Sequence, residues 1–202
     1  MMKRRTLMRA FLALAGSLAA LKGLLAPAHG TALPKDRARR TTMTAHDFEF
    51  TSIDGDRLPV SAWKGRPVLV INTASFCGYT PQYAGMEALW RQYKDRGLVM
   101  LAVPSNDFSG QEPGSAGEIK AFCETYDVSF LLSRKEKVIG GDAHPFYRWA
   151  VAELGEGAAP RWNFHKYLIG GDGLLAGTWP SAVTPQSKEI TGAIDAALGA
   201  KS

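Results

Sequence analysis

The chain reads as an α/β protein with a central mixed β-sheet flanked by helices, and three features of its 202 residues lead there. Val68 to Thr73 and Leu98 to Val103 are short, nearly unbroken apolar runs, the pattern of strands covered on both faces. Between them Tyr83, Met86, Leu89, Trp90 and Tyr93 recur at helical spacing, so a helix separates the two strands. Further on, Phe164 to Gly170 and Leu174 to Trp179 flank Gly171-Asp172-Gly173, a strand–turn–strand pattern.

The amino-terminal stretch is of a different kind. Met1 to Arg9 carry Lys3, Arg4, Arg5 and Arg9 without an acid, Ala10 to Leu21 are almost wholly apolar, and Ala26-Pro27-Ala28 offers an A-x-A cleavage pattern. Residues 1–28 are therefore expected to be a secretory signal peptide, with the remainder exported to a periplasm. The apolar run is short for a membrane span and Lys22 interrupts it, so no lasting anchor is expected. Arg4-Arg5-Thr6-Leu7-Met8-Arg9 resembles a twin-arginine signal, although an ordinary leader also accommodates paired arginines. Residues 29–44, with Lys35, Arg37, Arg39 and Arg40 and little apolar content, read as a flexible linker to a domain at 45–202.

Charge follows the same division. The first 28 residues hold five of the 24 Lys and Arg and none of the 19 acids, so the remainder is balanced. No basic field is left to argue for nucleic acid or anionic lipid.

Within the domain, His46 to Leu58 alternates around Asp54-Gly55 and reads as a hairpin, followed by a connector to Pro67. Val68 to Thr73 is the first core strand. Pro81 suits the first turn of a helix running to Arg96, with Gly97 as its stop. After the strand at 98–103, a polar loop reaches Gly114. Ser115-Ala116-Gly117-Glu118 then has capping-box form and opens a helix whose apolar face carries Ile119, Phe122, Cys123 and Tyr126. His144 to Leu154 is a further short helix, and Ser187 to Leu198 closes the chain as another. This order of β, α, β, α, hairpin and α describes a thioredoxin-like fold.

Cys77 stands between the first core strand and the helix that follows it. A sulfur there lies near a helix N-terminus, which favours negative charge. A buried, inert cysteine is the ordinary alternative. Cys123, on an apolar helix stripe, has core packing as its default. With only two cysteines, there is no Cys-x-x-Cys, no Cys/His cluster at zinc spacing and no disulfide scaffold, though a single structural bridge remains open. The amides of Gln111 and Asn163 and the indole of Trp162 lie in loops that such a fold gathers at the sheet edge where Cys77 emerges. All three are neutral donors, which stabilise an anionic sulfur or a leaving oxygen without giving up a proton.

Three blocks carry a more specific resemblance: Asn72-Thr73-Ala74-Ser75-Phe76-Cys77-Gly78-Tyr79-Thr80-Pro81-Gln82-Tyr83, the 104–114 run with Gly110-Gln111-Glu112-Pro113-Gly114, and Trp162-Asn163-Phe164-His165-Lys166-Tyr167-Leu168. In order and spacing the chain is similar to the glutathione peroxidase family over about residues 46–199. The resemblance implies a thiol peroxidase with a catalytic tetrad of Cys77, Gln111, Trp162 and Asn163, acting on hydrogen peroxide and organic hydroperoxides without cofactor or metal. It also implies that Cys123 is the resolving cysteine of members regenerated by a thioredoxin-like dithiol. The short segment from Tyr147 to Trp162 lacks the insertion of tetrameric, glutathione-using members, and no arginine follows Cys77 to receive a glutathione carboxylate. A monomer reduced by a thioredoxin-like protein is expected, with glutathione the other candidate reductant.

The chain departs from the family pattern in places. Asp107 replaces a usual Gln and is expected to bring a carboxylate near the pocket, where it would oppose negative charge on sulfur. Ser105 replaces a common cysteine. Phe130-Leu131-Leu132-Ser133 lacks the usual Phe-Pro and is expected to pack or move differently. Other thiol chemistries fit less well. A peroxiredoxin needs threonine three residues before its cysteine and a proline upstream, whereas a disulfide oxidoreductase needs a second cysteine at position 80, which is Thr. A peroxide sensor shares the first chemical step, and a binding module with a structural Cys77–Cys123 bridge has no use for the three donors.

Overall fold

The computed structural model describes residues 31–32 and 43–199. The leader expected at 1–28 lies outside the described residues. Thr31–Ala32 (β1), within the stretch read as a linker, pair antiparallel with a strand near the carboxyl terminus, Thr31 opposite Thr178. The rest of that stretch, apart from Met43 and Thr44, lies outside the described residues.

The expected hairpin forms from β2 (Glu49–Thr51) and β3 (Arg57–Pro59), with Phe50 opposite Leu58. The core of the molecule is a mixed sheet in the order β1-β8-β7-β4-β5-β6. Here β4 is Val68–Thr73, β5 is Val99–Pro104, β6 is Leu131–Leu132, β7 is Lys166–Ile169 and β8 is Leu175–Trp179. Strand β4 pairs parallel with β5 and antiparallel with β7. Every residue of β4 and β5 is buried, as their unbroken apolar runs require.

The pleat sorts those side chains between two cores. Leu69, Ile71, Met100, Ala102 and Leu168 face α1 (Gln82–Tyr93), α2 (Ala116–Glu124) and α4 (Lys188–Gly199). Val68, Val70, Val99, Leu101 and Tyr167 face α3 (Pro145–Leu154) and the β2–β3 hairpin. Each fully buried aliphatic side chain contributes about 1.5–3 kcal/mol, so a one-residue slip of β4 would exchange both sets and is strongly disfavoured.

Element ends differ by small amounts from expectation. Helix α1 starts after Pro81, gives way to a 3-10 turn at Lys94–Arg96, and stops at Gly97, whose φ of 110° suits glycine. The segment 129–133, which lacks the family's Phe-Pro, supplies the short strand β6. Ser129 anchors it by donating its N–H and hydroxyl to the Glu87 carboxylate at 2.8 and 2.6 Å. Among the described residues no helix is long and apolar enough to cross a membrane.

Candidate active site

The carboxyl ends of β4 and β5 and the start of β7 open at one edge of the sheet. The segments 74–81, 105–115 and 161–165 therefore meet there, where ligands bind in open α/β sheets.

Cys77 lies in the turn between β4 and α1 and is 7% exposed. Thr80 builds that turn: its Oγ1 accepts the Cys77 N–H at 3.0 Å and donates to the Ala74 carbonyl at 2.9 Å. The Tyr79 N–H donates to the Cys77 sulfur at 3.4 Å. Position 80, where a disulfide oxidoreductase needs its second cysteine, thus holds a hydroxyl that shapes the turn. Phe76, one residue before Cys77, is 68% exposed.

Gln111 is held beside this turn through its backbone, since the Phe76 N–H donates to the Gln111 carbonyl at 3.0 Å. Its side-chain Oε1 accepts from Asn163 Nδ2 at 2.9 Å. Asn163 is fully buried. Trp162 is half-buried, with its ring 5.8 Å from that of Phe108. Two of the four expected residues, Gln111 and Asn163, are therefore hydrogen-bonded to each other, Cys77 is tied to them only through its neighbour Phe76, and Trp162 adjoins Asn163 in the chain.

A residue with no expected role organises the last block. Asn72, buried near the end of β4, donates its side-chain amide to the Trp162 carbonyl at 3.2 Å and accepts the His165 N–H at 3.1 Å. Its backbone carbonyl accepts the Phe164 N–H at 2.6 Å. Phe164 has φ 65°, a left-handed conformation rare for a non-glycine residue, and these bonds on either side hold it there. A buried amide closing an otherwise apolar strand was the available signal in the sequence.

Asp107 has a structural task that the sequence did not announce. Its Oδ2 accepts the Val138 N–H at 2.6 Å and the Ile139 N–H at 3.2 Å, so the carboxylate secures the 138–139 segment. Two unpaired backbone donors draw it there. A second carboxylate, Glu112, is 1% exposed, and its Oε2 accepts the N–H and hydroxyl of Ser75, two residues before Cys77, at 2.9 and 3.1 Å. Burial pushes its carboxyl above the ordinary range.

Cys123 lies on α2 in the same apolar core as Cys77, and both are free thiols. It is 1% exposed, and burial pushes its thiol up to about 11. Phe122 and Tyr126, on either side of it in the chain, pack against Tyr83 of α1 with ring centroids 6.4 and 5.5 Å away. In this arrangement Cys123 is a protonated core residue. Among the described residues no group of His, Cys, Asp and Glu side chains is placed to hold a metal ion.

Comparison with known proteins accords with this geometry. The glutathione peroxidase family model matches residues 45–151. A hydroperoxy fatty acid reductase of Synechocystis is 39% identical over 151 residues, covering 70% of this chain and 89% of that protein. A glutathione peroxidase-like peroxiredoxin of Chlamydomonas reinhardtii is 41% identical over 145 residues, covering 70% of this chain and 90% of that protein. Among solved structures, that of Trgpx in apo form superposes with a TM-score of 0.64 at 32% identity, covering 78% of this chain and 97% of that one. A thiol:disulfide interchange protein of the thioredoxin family from Chlorobium tepidum superposes at 0.59 with 18% identity, covering 80% and 100%, and so shares the thioredoxin-like fold. By its sequence blocks, its fold and these relatives, the chain belongs to the glutathione peroxidase family.

Proposed function

We propose that the protein reduces hydrogen peroxide and organic hydroperoxides through Cys77. The observation that carries this is the joining of Cys77's turn, Gln111 and Asn163 by the Phe76–Gln111 and Gln111–Asn163 hydrogen bonds at one sheet edge. The Cys77 thiolate attacks one peroxide oxygen. The O–O bond breaks, Cys77 becomes a sulfenic acid, and the departing oxygen takes a proton to leave as water or alcohol. Gln111, Trp162 and Asn163 are neutral donors suited to the charge that moves from sulfur to the departing oxygen.

Cys123 then attacks the Cys77 sulfur, expels water and closes a disulfide. A core thiol with its pKa raised to about 11 is a poor nucleophile, so this step needs α2 to open and expose the sulfur to water. A dithiol restores both cysteines by exchange. The short 147–162 segment and the lack of an arginine after Cys77 favour a thioredoxin-like reductant over glutathione, and the relative named a hydroperoxy fatty acid reductase supports hydroperoxy fatty acids among the substrates. Residues 1–28 act as the export signal in this account, the protein works as a periplasmic monomer, and its reductant is an exported dithiol protein. A peroxide sensor would share the first oxidation and differ in passing the disulfide to another protein.

Peroxide-dependent turnover of the reduced protein, with thioredoxin and glutathione supplied separately, tests this function. Sustained turnover with thioredoxin and little with glutathione is expected. One oxidation without turnover under either reductant would favour the sensor.

A further inference from the structure

Phe76 is an unusual residue to stand directly before Cys77. It is 68% exposed, so burial of its ring does little for the core. Its main chain is nonetheless fixed: its N–H donates to the Gln111 carbonyl at 3.0 Å, and the next N–H, of Cys77, donates to the Thr80 hydroxyl at 3.0 Å. The ring is thus carried outward on a well-held turn.

What the ring meets is α2. Ser75 and Phe76 on the turn face Glu118, Ile119 and Phe122 on the helix across a cavity of about 300 Å³. The Phe76 and Phe122 rings reach across it, with centroids 6.4 Å apart and planes inclined at 40°. That separation is within the range over which aromatic pairs attract. Phe122 also meets Tyr83 of α1 at 6.4 Å and Tyr126 at 5.7 Å. It immediately precedes Cys123, which is 1% exposed. Any loosening of α2 that carries the Cys123 sulfur towards Cys77 therefore also lifts Phe122 off Phe76.

We propose that Phe76 is a positioning residue for the resolving step: its ring latches Phe122, keeps Cys123 in the core, and so sets the lifetime of the Cys77 sulfenic acid. The proposal rests on the peroxidase function with Cys123 as resolving thiol. In that step the Cys123 sulfur bonds to the Cys77 sulfur, the Cys77 S–O bond breaks, and the hydroxyl leaves as water with the Cys123 proton. While the latch is shut, a second hydrogen peroxide competes for the sulfenic acid, transferring one oxygen to give sulfinic acid and leaving as water. An aromatic pair is worth about 0.5–1.5 kcal/mol, or about 2- to 12-fold at 1.4 kcal/mol per tenfold. Loss of the ring raises the open fraction of α2, and the rate of closure, by that factor.

The test uses the reduced full chain as wild type, Phe76→Ala, Phe76→Tyr, Phe122→Ala and the double alanine variant. Hydrogen exchange of the α2 amides reads opening without any chemistry. After one equivalent of hydrogen peroxide, acid-quenched mass spectrometry times disulfide closure from the sulfenic acid onward. Phe76→Ala is expected to speed α2 exchange and closure together by about 2- to 12-fold, and to yield less sulfinic acid under excess peroxide. Phe76→Tyr, which keeps the ring, should restore both towards wild type. In the Phe122→Ala background Phe76→Ala should add little, because the pair is already broken. Unchanged or slower α2 exchange in Phe76→Ala would overturn the latch, and so would equal acceleration in the Phe122→Ala background. Faster exchange without faster closure would show that the latch does not govern the resolving step. Failure of Cys77 to oxidise, or of wild type to form the disulfide, would instead overturn the peroxidase function or the role of Cys123. With either failure the control of closure falls, while exchange still decides whether the two rings hold α2.

Discussion

Asn163 Nδ2 donates to Gln111 Oε1 across 2.9 Å, joining two loops that lie 52 residues apart in the chain. The bond orients both amides. With its oxygen engaged, Gln111 keeps its own N–H groups as donors, and its backbone carbonyl already secures the residue before Cys77. Loss of the partner should therefore disturb two donors together.

Asn163→Ala is expected to slow Cys77 sulfenic acid formation by about one to three orders of magnitude, the range for a lost oxyanion-type donor. Gln111→Ala should cost a similar factor, and the double variant much less than the product of the two, because they act as a unit. Stopped-flow oxidation rates check this. Additive losses would show that the two amides work independently.

The fold was legible because β4 and β5 are apolar without interruption and Ser115 and Glu118 form the capping box that opens α2. Strand β6 was not, since two leucines carry no period, and its pairing is set by contacts with β5 and the Ser129–Glu87 bonds. Among the proposed site residues, Cys77, Gln111, Trp162 and Asn163 stand out in the sequence as chemistry-bearing side chains in loops. Asn72 and Thr80 do not, because their work is to satisfy particular backbone groups that only the folded chain brings near. The partners of Asp107 were illegible for the same reason: its carboxylate accepts the N–H groups of Val138 and Ile139, which lie far along the chain.

Asn72 should matter for both stability and rate. Asn72→Leu removes two side-chain hydrogen bonds and strands the Trp162 carbonyl and the His165 N–H, an expected cost of about 2–4 kcal/mol. Denaturant unfolding measures that loss. Peroxide oxidation of the still-folded fraction should also slow, since the 162–165 segment loses its anchor. Unchanged stability would assign the left-handed Phe164 to some other support.

Cys123 should resist alkylation in the reduced native protein. Its thiol is 1% exposed, and a pKa of about 11 leaves about one molecule in a thousand as thiolate at pH 8. Iodoacetamide followed by peptide mass spectrometry should label Cys77 first and Cys123 only when α2 opens. Cys123→Ser should oxidise once at Cys77, then stall or over-oxidise, and lose turnover with thioredoxin. Full turnover in that variant would leave Cys123 a core residue.

His165 should make the protein acid-labile. Burial, reinforced by the neighbouring Lys166 ammonium, lowers its pKa from 6.5 to about 3. Between those values the unfolded chain binds a proton that the native protein refuses, so stability falls as pH falls from 6.5 towards 3. The His165 contribution between pH 7 and pH 4 is about 3 kcal/mol. His165→Asn should flatten the stability profile over that interval. An unaltered slope would place the acid sensitivity elsewhere.

The Cys77 sulfur is the atom proposed to meet peroxide. The most direct measurement treats the reduced full chain with one equivalent of hydrogen peroxide and traps sulfenic acid with a dimedone-type reagent, in wild type, Cys77→Ser and Cys123→Ser. The adduct should appear on Cys77 in Cys123→Ser, be diverted to a Cys77–Cys123 disulfide in wild type, and be absent in a folded Cys77→Ser protein that no longer consumes peroxide. Peroxide consumption at the wild-type rate by Cys77→Ser would contradict the account.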